Sequence, residues 1–277
     1  MKFYRHWARA TASVETPELR FEIACYGGSE TSLEDARREA AAIASRAAAA
    51  IRSGKPRGEY PYSRGPVREE LLDEISDGER LQAVTTRNAY GATVLNSAGA
   101  LFADIDYPEV STWSRFRSWF GGNKEGRDEA ILTRVDAYTR QHPRAGLRLY
   151  RTANGFRCVA THRTYEPGSR DATELLEALG SDPLYVRLCT AQKCFRARLT
   201  PKFWRCSATR PPSRYPWASA EEERAYRMWQ ESYERQIRDY STCALVGSFG
   251  SSRIDHEVGR ILDLHDRIAC NGDAPLA

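Results

Sequence analysis

The chain has 277 residues, of which 41% are hydrophobic and 28% charged, with a net charge of +4. That length supports one large domain or two modest ones with a proper core. The composition is that of an ordinary soluble protein, and no apolar run approaches the ~20 residues of a membrane span.

The N-terminal MKFYRHWARATAS lacks the apolar stretch of a signal peptide. Seven cysteines, an odd and scattered number, then fit free thiols in a reducing cytoplasm and not a disulfide framework. The charge is uneven. Residues 140–214 hold fifteen Arg/Lys against five Asp/Glu, a local +10 that leaves the remainder near −6. Such a basic segment suits a polyanion, nucleic acid or nucleotide phosphate, or else forms a solvated face.

In chain order, LRFEIACYG (19–27) reads as a strand. Thr31 and Glu34 form a capping-box pattern before the Ala-rich helix LEDARREAAAIASRAAAAIRS. GKPRGEYPYSRGP (54–66) reads as loop, and VREELLDEI as a short helix. Three strands follow, LQAVTTRN, GATVLNSA and ALFADID, with Ser97 to Gly99 turning the chain into the third. Residues 126–142 read as a helix with Ile131, Leu132, Val135 and Tyr138 on one face. LRLYRTANGFRCVATH (147–162) reads as a hairpin turning at Asn154-Gly155. Asp171 and Glu174 form a second capping box, for a helix that Gly180 closes. After PPSRYP (211–216), the residues Tyr226, Trp229, Tyr233, Ile237 and Tyr240 recur at helical spacing. A last helix carries Val258, Ile261, Leu262 and Ile268.

This order predicts an α+β fold: a mainly antiparallel sheet with helices on one face, spanning residues 1–210. A C-terminal helical pair over 211–277 packs on it.

The chemistry concentrates at LFADID. In a strand, Asp104 and Asp106 project from one face with Ile105 on the other. Two adjacent carboxylates raise each other's pKa, and a divalent cation such as Mg²⁺ or Mn²⁺ removes the conflict through hard oxygen ligands. Alternatively one aspartate caps a turn and the other is solvated. On the metal reading, Asp104→Asn keeps shape, removes a charge and relieves repulsion in the metal-free protein. Arg151 and Arg157 belong to a basic hairpin. Arg196 and Arg198 alternate on one face of FRARLTPK and Lys202 follows, a row able to hold phosphates. Arg87 and Asn88 end a strand near the aspartates and are further candidates for phosphate or sugar. Their other reading is a turn. Cys189, Cys194 and Cys206 contain no C-x-x-C pair, so a structural zinc is not expected. Cys158 near His162 is a weaker candidate for thiol chemistry. His256 and His265 sit in a helical, Asp-rich tail that could bind metal, with capping or surface roles the expectation.

LFADID, TANGFR, Asp182 and RARLTPK together resemble, over about residues 80–205, the archaeo-eukaryotic primase and primase-polymerase superfamily. Its motifs are a hydrophobic-Asp-hydrophobic-Asp strand, a glycine-turn and histidine motif, and a further aspartate followed by basic residues. In this sequence Arg157 stands where that histidine would be. The resemblance implies an RRM-like or primase-like core. It also implies metal-dependent nucleotidyl or phosphoryl transfer, with Asp104, Asp106 and Asp182 binding Mg²⁺ or Mn²⁺. Separately, TRNAYGATVLN and DPLYVRLC…FRARLTPK are similar to blocks of a widespread bacterial family of no assigned activity. The residues also admit a non-catalytic nucleic-acid-binding protein, or a scaffold for an acidic protein partner.

Overall fold

The computed structural model describes residues 1, 3–16, 19–53, 67–107 and 124–277, so the loop expected over 54–66 lies outside the described residues. The described residues form an α+β fold with three antiparallel sheets and six helices. None of those helices is long and apolar enough to cross a membrane.

Strands β1 (His6–Glu15) and β2 (Arg20–Ser29) make a two-stranded sheet. The first of these was not anticipated. Helix α1 (Leu33–Arg52) buries Ala36, Ala40, Ala44 and Ala48, an i, i+4 stripe of small side chains. That stripe lets β2 come so close that a Cβ at Gly27 would sit 2.2 Å from the Ala40 nitrogen. The helix starts at Leu33 as expected, but the cap is Ser32 and not the Thr31 of the expected capping box. Ser32 is the N-cap and accepts from the Asp35 N–H, while Thr31 donates its hydroxyl to the Asp35 carboxylate.

The second sheet runs in the order β3 (Glu70–Asp77), β4 (Arg80–Arg87), β5 (Thr93–Ser97), β9 (Phe195–Arg198). VREELLDEI is therefore mainly strand, not helix. Its carboxylates find partners only when it lies beside β4: Glu69 accepts from the Thr86 hydroxyl and Glu70 faces Arg87. Tertiary pairing overrides a weak helical preference there.

The third sheet runs β10 (Cys243–Gly250), β7 (Gly146–Thr152), β8 (Gly155–Ala160), β6 (Phe102–Asp106). The hairpin expected at Asn154-Gly155 is present as β7 and β8. Strand β6 does not continue the β4–β5 meander. The Ser97 hydroxyl accepts from the Gly99 and Ala100 N–H groups. The turn so formed carries the chain into the other sheet, where β6 pairs with β8. Strand β10 was read as part of a helical tail, yet it is an edge of this sheet.

The helices over this third sheet are α2 (Lys124–Gln141), α3 (Arg170–Leu179), α4 (Pro183–Gln192) and α6 (His256–Ala269). Helices on one face only do not describe it. Arg151 reaches Asp128 of α2 from one face, whereas Tyr150 and Phe102 on the other pack on His265 of α6. Helix α3 is capped by Ser169, not by the Asp171/Glu174 box, and Gly180 closes it with φ of 80°. Both four-stranded sheets contribute to one core, with Leu95, Phe195 and Ala197 from one and Phe102, Leu149 and Val159 from the other. Helix α5 (Ala220–Gln236) buries Tyr226, Trp229 and Tyr233 in a separate aromatic cluster.

Edge strands β6 and β9 face each other without a ladder. An open edge leaves backbone groups that must be paired. The Tyr185 hydroxyl of α4 supplies this, donating to the Phe102 carbonyl at 2.7 Å and accepting from the Arg196 N–H at 3.2 Å.

Candidate functional site

The register of β6 against β8 sets Asp104 opposite Arg157 and Asp106 opposite Gly155. Alternation then puts both carboxylates on one face at the end of a strand whose intervening Ile105 is buried. Gly155 has φ of 150° and no side chain, and a Cβ there would lie 2.1 Å from the Ile105 carbonyl oxygen. Glycine is what lets the hairpin close against the aspartate strand.

The two aspartates have different surroundings. Asp104 is 39% exposed, and its Oδ1 accepts from Arg157 Nε at 2.9 Å. Arg157 is only 2% exposed. Its Nη1 donates to the Arg198 carbonyl at 2.8 Å and lies 3.3 Å from His265 Nε2. Burial opposes the guanidinium charge, and the Asp104 carboxylate outweighs that, holding the Arg157 pKa above the ordinary arginine value. Because Arg157 can only donate, His265 Nε2 accepts. The imidazole proton then sits on Nδ1 and is donated to Asp266 Oδ1 at 2.8 Å. Burial, more than the charge of Asp266, decides its titration, and the His265 pKa is lowered. Arg148 completes the row on Asp266 at 3.0 Å. A chain of hydrogen bonds thus runs from Asp104 through the buried Arg157 and His265 to Asp266 and Arg148.

Asp106 is exposed and has no arginine partner among the described residues. Desolvation raises its carboxyl pKa, and the neighbouring charges of Asp104 and Asp182 raise it further. A hydrogen bond from the Asn154 side chain and the charge of Lys202 oppose the rise.

Beside these acids lies a group of cations. Arg198, Lys202 and Arg205 make no ion pair among the described residues. Burial and the charge of Arg157 depress Arg198 to a pKa of about 10. Lys202 is lowered by burial and by Arg198 and Arg205. Lys202 Nζ also sits 5.2 Å from the ring centre of Trp204. Trp204 is 50% exposed and meets Tyr90, 45% exposed, edge to face at 5.3 Å. The site is therefore two like-charge clusters within electrostatic reach of each other, flanked by exposed aromatic rings.

Other expected residues go elsewhere. Arg87 is buried against Glu70 and Glu234, and Asn88 uses its side-chain oxygen to accept from the Tyr90 and Ala92 N–H groups. The turn reading of that stretch holds. Arg196 is bound by Glu69 at 2.7 Å and 2.9 Å, so of the two strand arginines only Arg198 is left to the cation group. Arg151 pairs with Asp128 at 2.6 Å on the opposite face of the sheet from Asp104. Asp182 caps α4 by accepting from the Leu184 N–H at 2.9 Å. Among the described residues no three His, Cys, Asp or Glu side chains converge as a metal-ligand set. Burial pushes the thiols of Cys158 and Cys189 up to about 12, far from the thiolate that nucleophilic chemistry needs. His162 is held between Gly146 and the Tyr165 hydroxyl.

Sequence reasoning missed Asn154, Tyr185, Arg205 and Asp266, and expected His265 in a capping or surface role, whereas it is fully buried. Arg205 stood in a quoted basic run, and Asn154 in the recognised turn. His265 could have been suspected from the helical spacing that puts it with Val258, Ile261 and Leu262 on one face of α6.

No family model matches this sequence, and no curated protein and no solved structure is significantly similar to it.

Proposed function

We propose that the protein carries out metal-dependent phosphoryl or nucleotidyl transfer on nucleotides or nucleic acid, at the site around Asp104 and Asp106. The observation that carries this reading is the pair of unresolved like-charge clusters. Burial, Asp104 and Asp182 strain Asp106; burial, Arg157 and Arg205 strain Arg198; burial, Arg198 and Arg205 strain Lys202. A divalent cation answers the first conflict and a phosphate the second. A metal–phosphate complex answers both at once.

The donor set fits a hard cation. Mg²⁺ is usually held by one or two carboxylates together with substrate phosphates and water, so a third protein ligand is not required. Asp104 and Asp106 would hold it. Asp104 still has lone pairs free of Arg157, since a carboxylate offers about four acceptor positions. When bound, the ion neutralises charge on the transferred group and aligns the reacting oxygens. Arg198, Lys202 and Arg205 would position the phosphates. Trp204 and Tyr90, beside Lys202, offer faces on which a base can stack. The resemblance to primase-polymerases is in keeping with this chemistry, and an RRM-like or primase-like core is part of the same proposal.

A second reading keeps the ligand and drops the reaction. Arg157 already neutralises Asp104 from the buried side, which suits a non-catalytic nucleic-acid-binding protein. Metal dependence separates the two. Binding of a labelled single-stranded oligonucleotide, and of a nucleoside triphosphate, is measured with Mn²⁺ and with chelator. The transfer reading expects triphosphate binding to be lost in chelator. The binding-module reading expects oligonucleotide affinity to be the same in both and to fall steeply with salt.

A further inference from the structure

Thr200 and Pro201 line a cavity of about 500 Å³, whose walls also include Arg238, Tyr240, Arg267 and Cys270. Neither arginine makes an ion pair among the described residues. Glu234 also lines the cavity, but its carboxylate is engaged by Arg87 at 3.4 Å and Gln230 at 2.8 Å. Behind the wall, Cys243 Sγ lies 3.7 Å from Cys270 Sγ. Cys243 is fully buried at the start of β10, while Cys270, just past the end of α6, is partly exposed.

We propose that this cavity is a thiol–disulfide exchange site for a small anionic disulfide of the glutathione type. Cys270 is the attacking thiol and Cys243 the resolving one. The two arginines recognise the ligand's carboxylates. In the first step the Cys270 thiolate attacks one ligand sulfur. A protein–ligand S–S bond forms, the ligand's own S–S bond breaks, and one ligand thiolate leaves. In the second step the Cys243 thiol, released from its hydrogen bond to the Cys270 thiolate, passes its proton to His265 Nε2, 3.7 Å away, and attacks Cys270 Sγ. The Cys243–Cys270 bond forms and the second ligand thiolate leaves. Two protein thiols are oxidised by two electrons, one disulfide is reduced to two thiols, and the protons lost by the cysteines balance those the leaving thiolates take up. The order follows from access, because only Cys270 meets the cavity. The hydrogen bond between the two also holds the Cys270 thiol below its ordinary pKa and Cys243 well above its own, so Cys270 attacks first.

The test uses the full, reduced chain and glutathione disulfide, followed by intact mass and non-reducing peptide mapping. The wild type is expected to lose two hydrogens and to yield a Cys243–Cys270 linked peptide. Cys243→Ser should stop at a stable adduct of one glutathionyl group on Cys270, and Cys270→Ser should form neither product. Arg238→Gln with Arg267→Gln should slow the reaction about tenfold with glutathione disulfide and leave the rate with neutral hydroxyethyl disulfide unchanged. Circular dichroism checks that each variant is folded. Should the Cys270→Ser protein be modified as fast as wild type, or the reaction require denaturant, the site is overturned. Equal rates for the anionic and neutral disulfides, in wild type and in the arginine variant alike, overturn the anion specificity.

Discussion

Asp104 and Asp106 are two residues apart and have opposite relations to stability. Asp104 is the counter-charge of a buried guanidinium. Asp104→Asn therefore does not simply relieve repulsion, as the sequence alone suggested, because it leaves Arg157 buried without its partner. Removing one member of a buried pair costs ~3–5 kcal/mol, and the partial exposure of Asp104 reduces this to about 2 kcal/mol, readable by urea denaturation at neutral pH. Asp106→Asn should do the reverse. Its carboxyl pKa is raised in the folded state, so protonation stabilises the protein below the ordinary value of 3.8, and that stability is lost as pH rises through the raised value. At neutral pH the ionised group is a cost, and the amide should raise the melting temperature. The gain should vanish in acid. His265 gives a second pH signature. Its pKa is lowered from 6.5, so below about 6.5 the unfolded chain takes up a proton that the folded one refuses. Stability should be full above that pH and fall beneath it. In His265→Gln that part of the loss should be absent from melts taken between pH 5 and 7.5.

At the level of elements, the aspartate strand was legible because alternation and a buried apolar run need no tertiary information. Its partner was not. Nothing in Ser97 to Gly99 says whether the chain turns back onto β5 or crosses to β8, and both choices bury Phe102 and Ile105 equally well. The strand β3 was missed for the same reason, since its acidic residues become strand-compatible only beside Arg87 and Arg196. The junction of β6 with β9 rests on one side chain, Tyr185, whose hydroxyl serves a carbonyl of one edge and an N–H of the other. Tyr185→Phe keeps the ring and strands both groups. An unfolding measurement should show a loss of about 1–3 kcal/mol, larger than one ordinary hydrogen bond. If the loss is only a few tenths, water replaces the hydroxyl and the junction is looser than described.

For the whole molecule, the two four-stranded sheets share a core, but β1, β2 and α1 bury a small alanine cluster of their own. The link to the rest includes Arg5 on Glu74 and Arg68 over the Tyr26 ring. Hydrogen exchange should therefore find residues 6–52 opening at lower free energy than β7 and β8, with strands 146–160 exchanging only on global unfolding. The basic character of 140–214 was legible from composition. How it divides was not, because Arg151 and Arg196 turn out to be structural cations, and only the folded chain tells them from Arg198, Lys202 and Arg205. The central claim is that the acids and these free cations together hold a metal–phosphate complex. The measurement that tests it most directly is calorimetric melting of wild type and Asp106→Asn, each with Mn²⁺, with nucleotide, with both, and with chelator. The account predicts a rise in melting temperature for wild type that needs Mn²⁺ and nucleotide together. The Asp106→Asn protein should start higher and gain nothing. No shift in wild type at millimolar Mn²⁺ with nucleotide, or the same shift in both proteins, would contradict it.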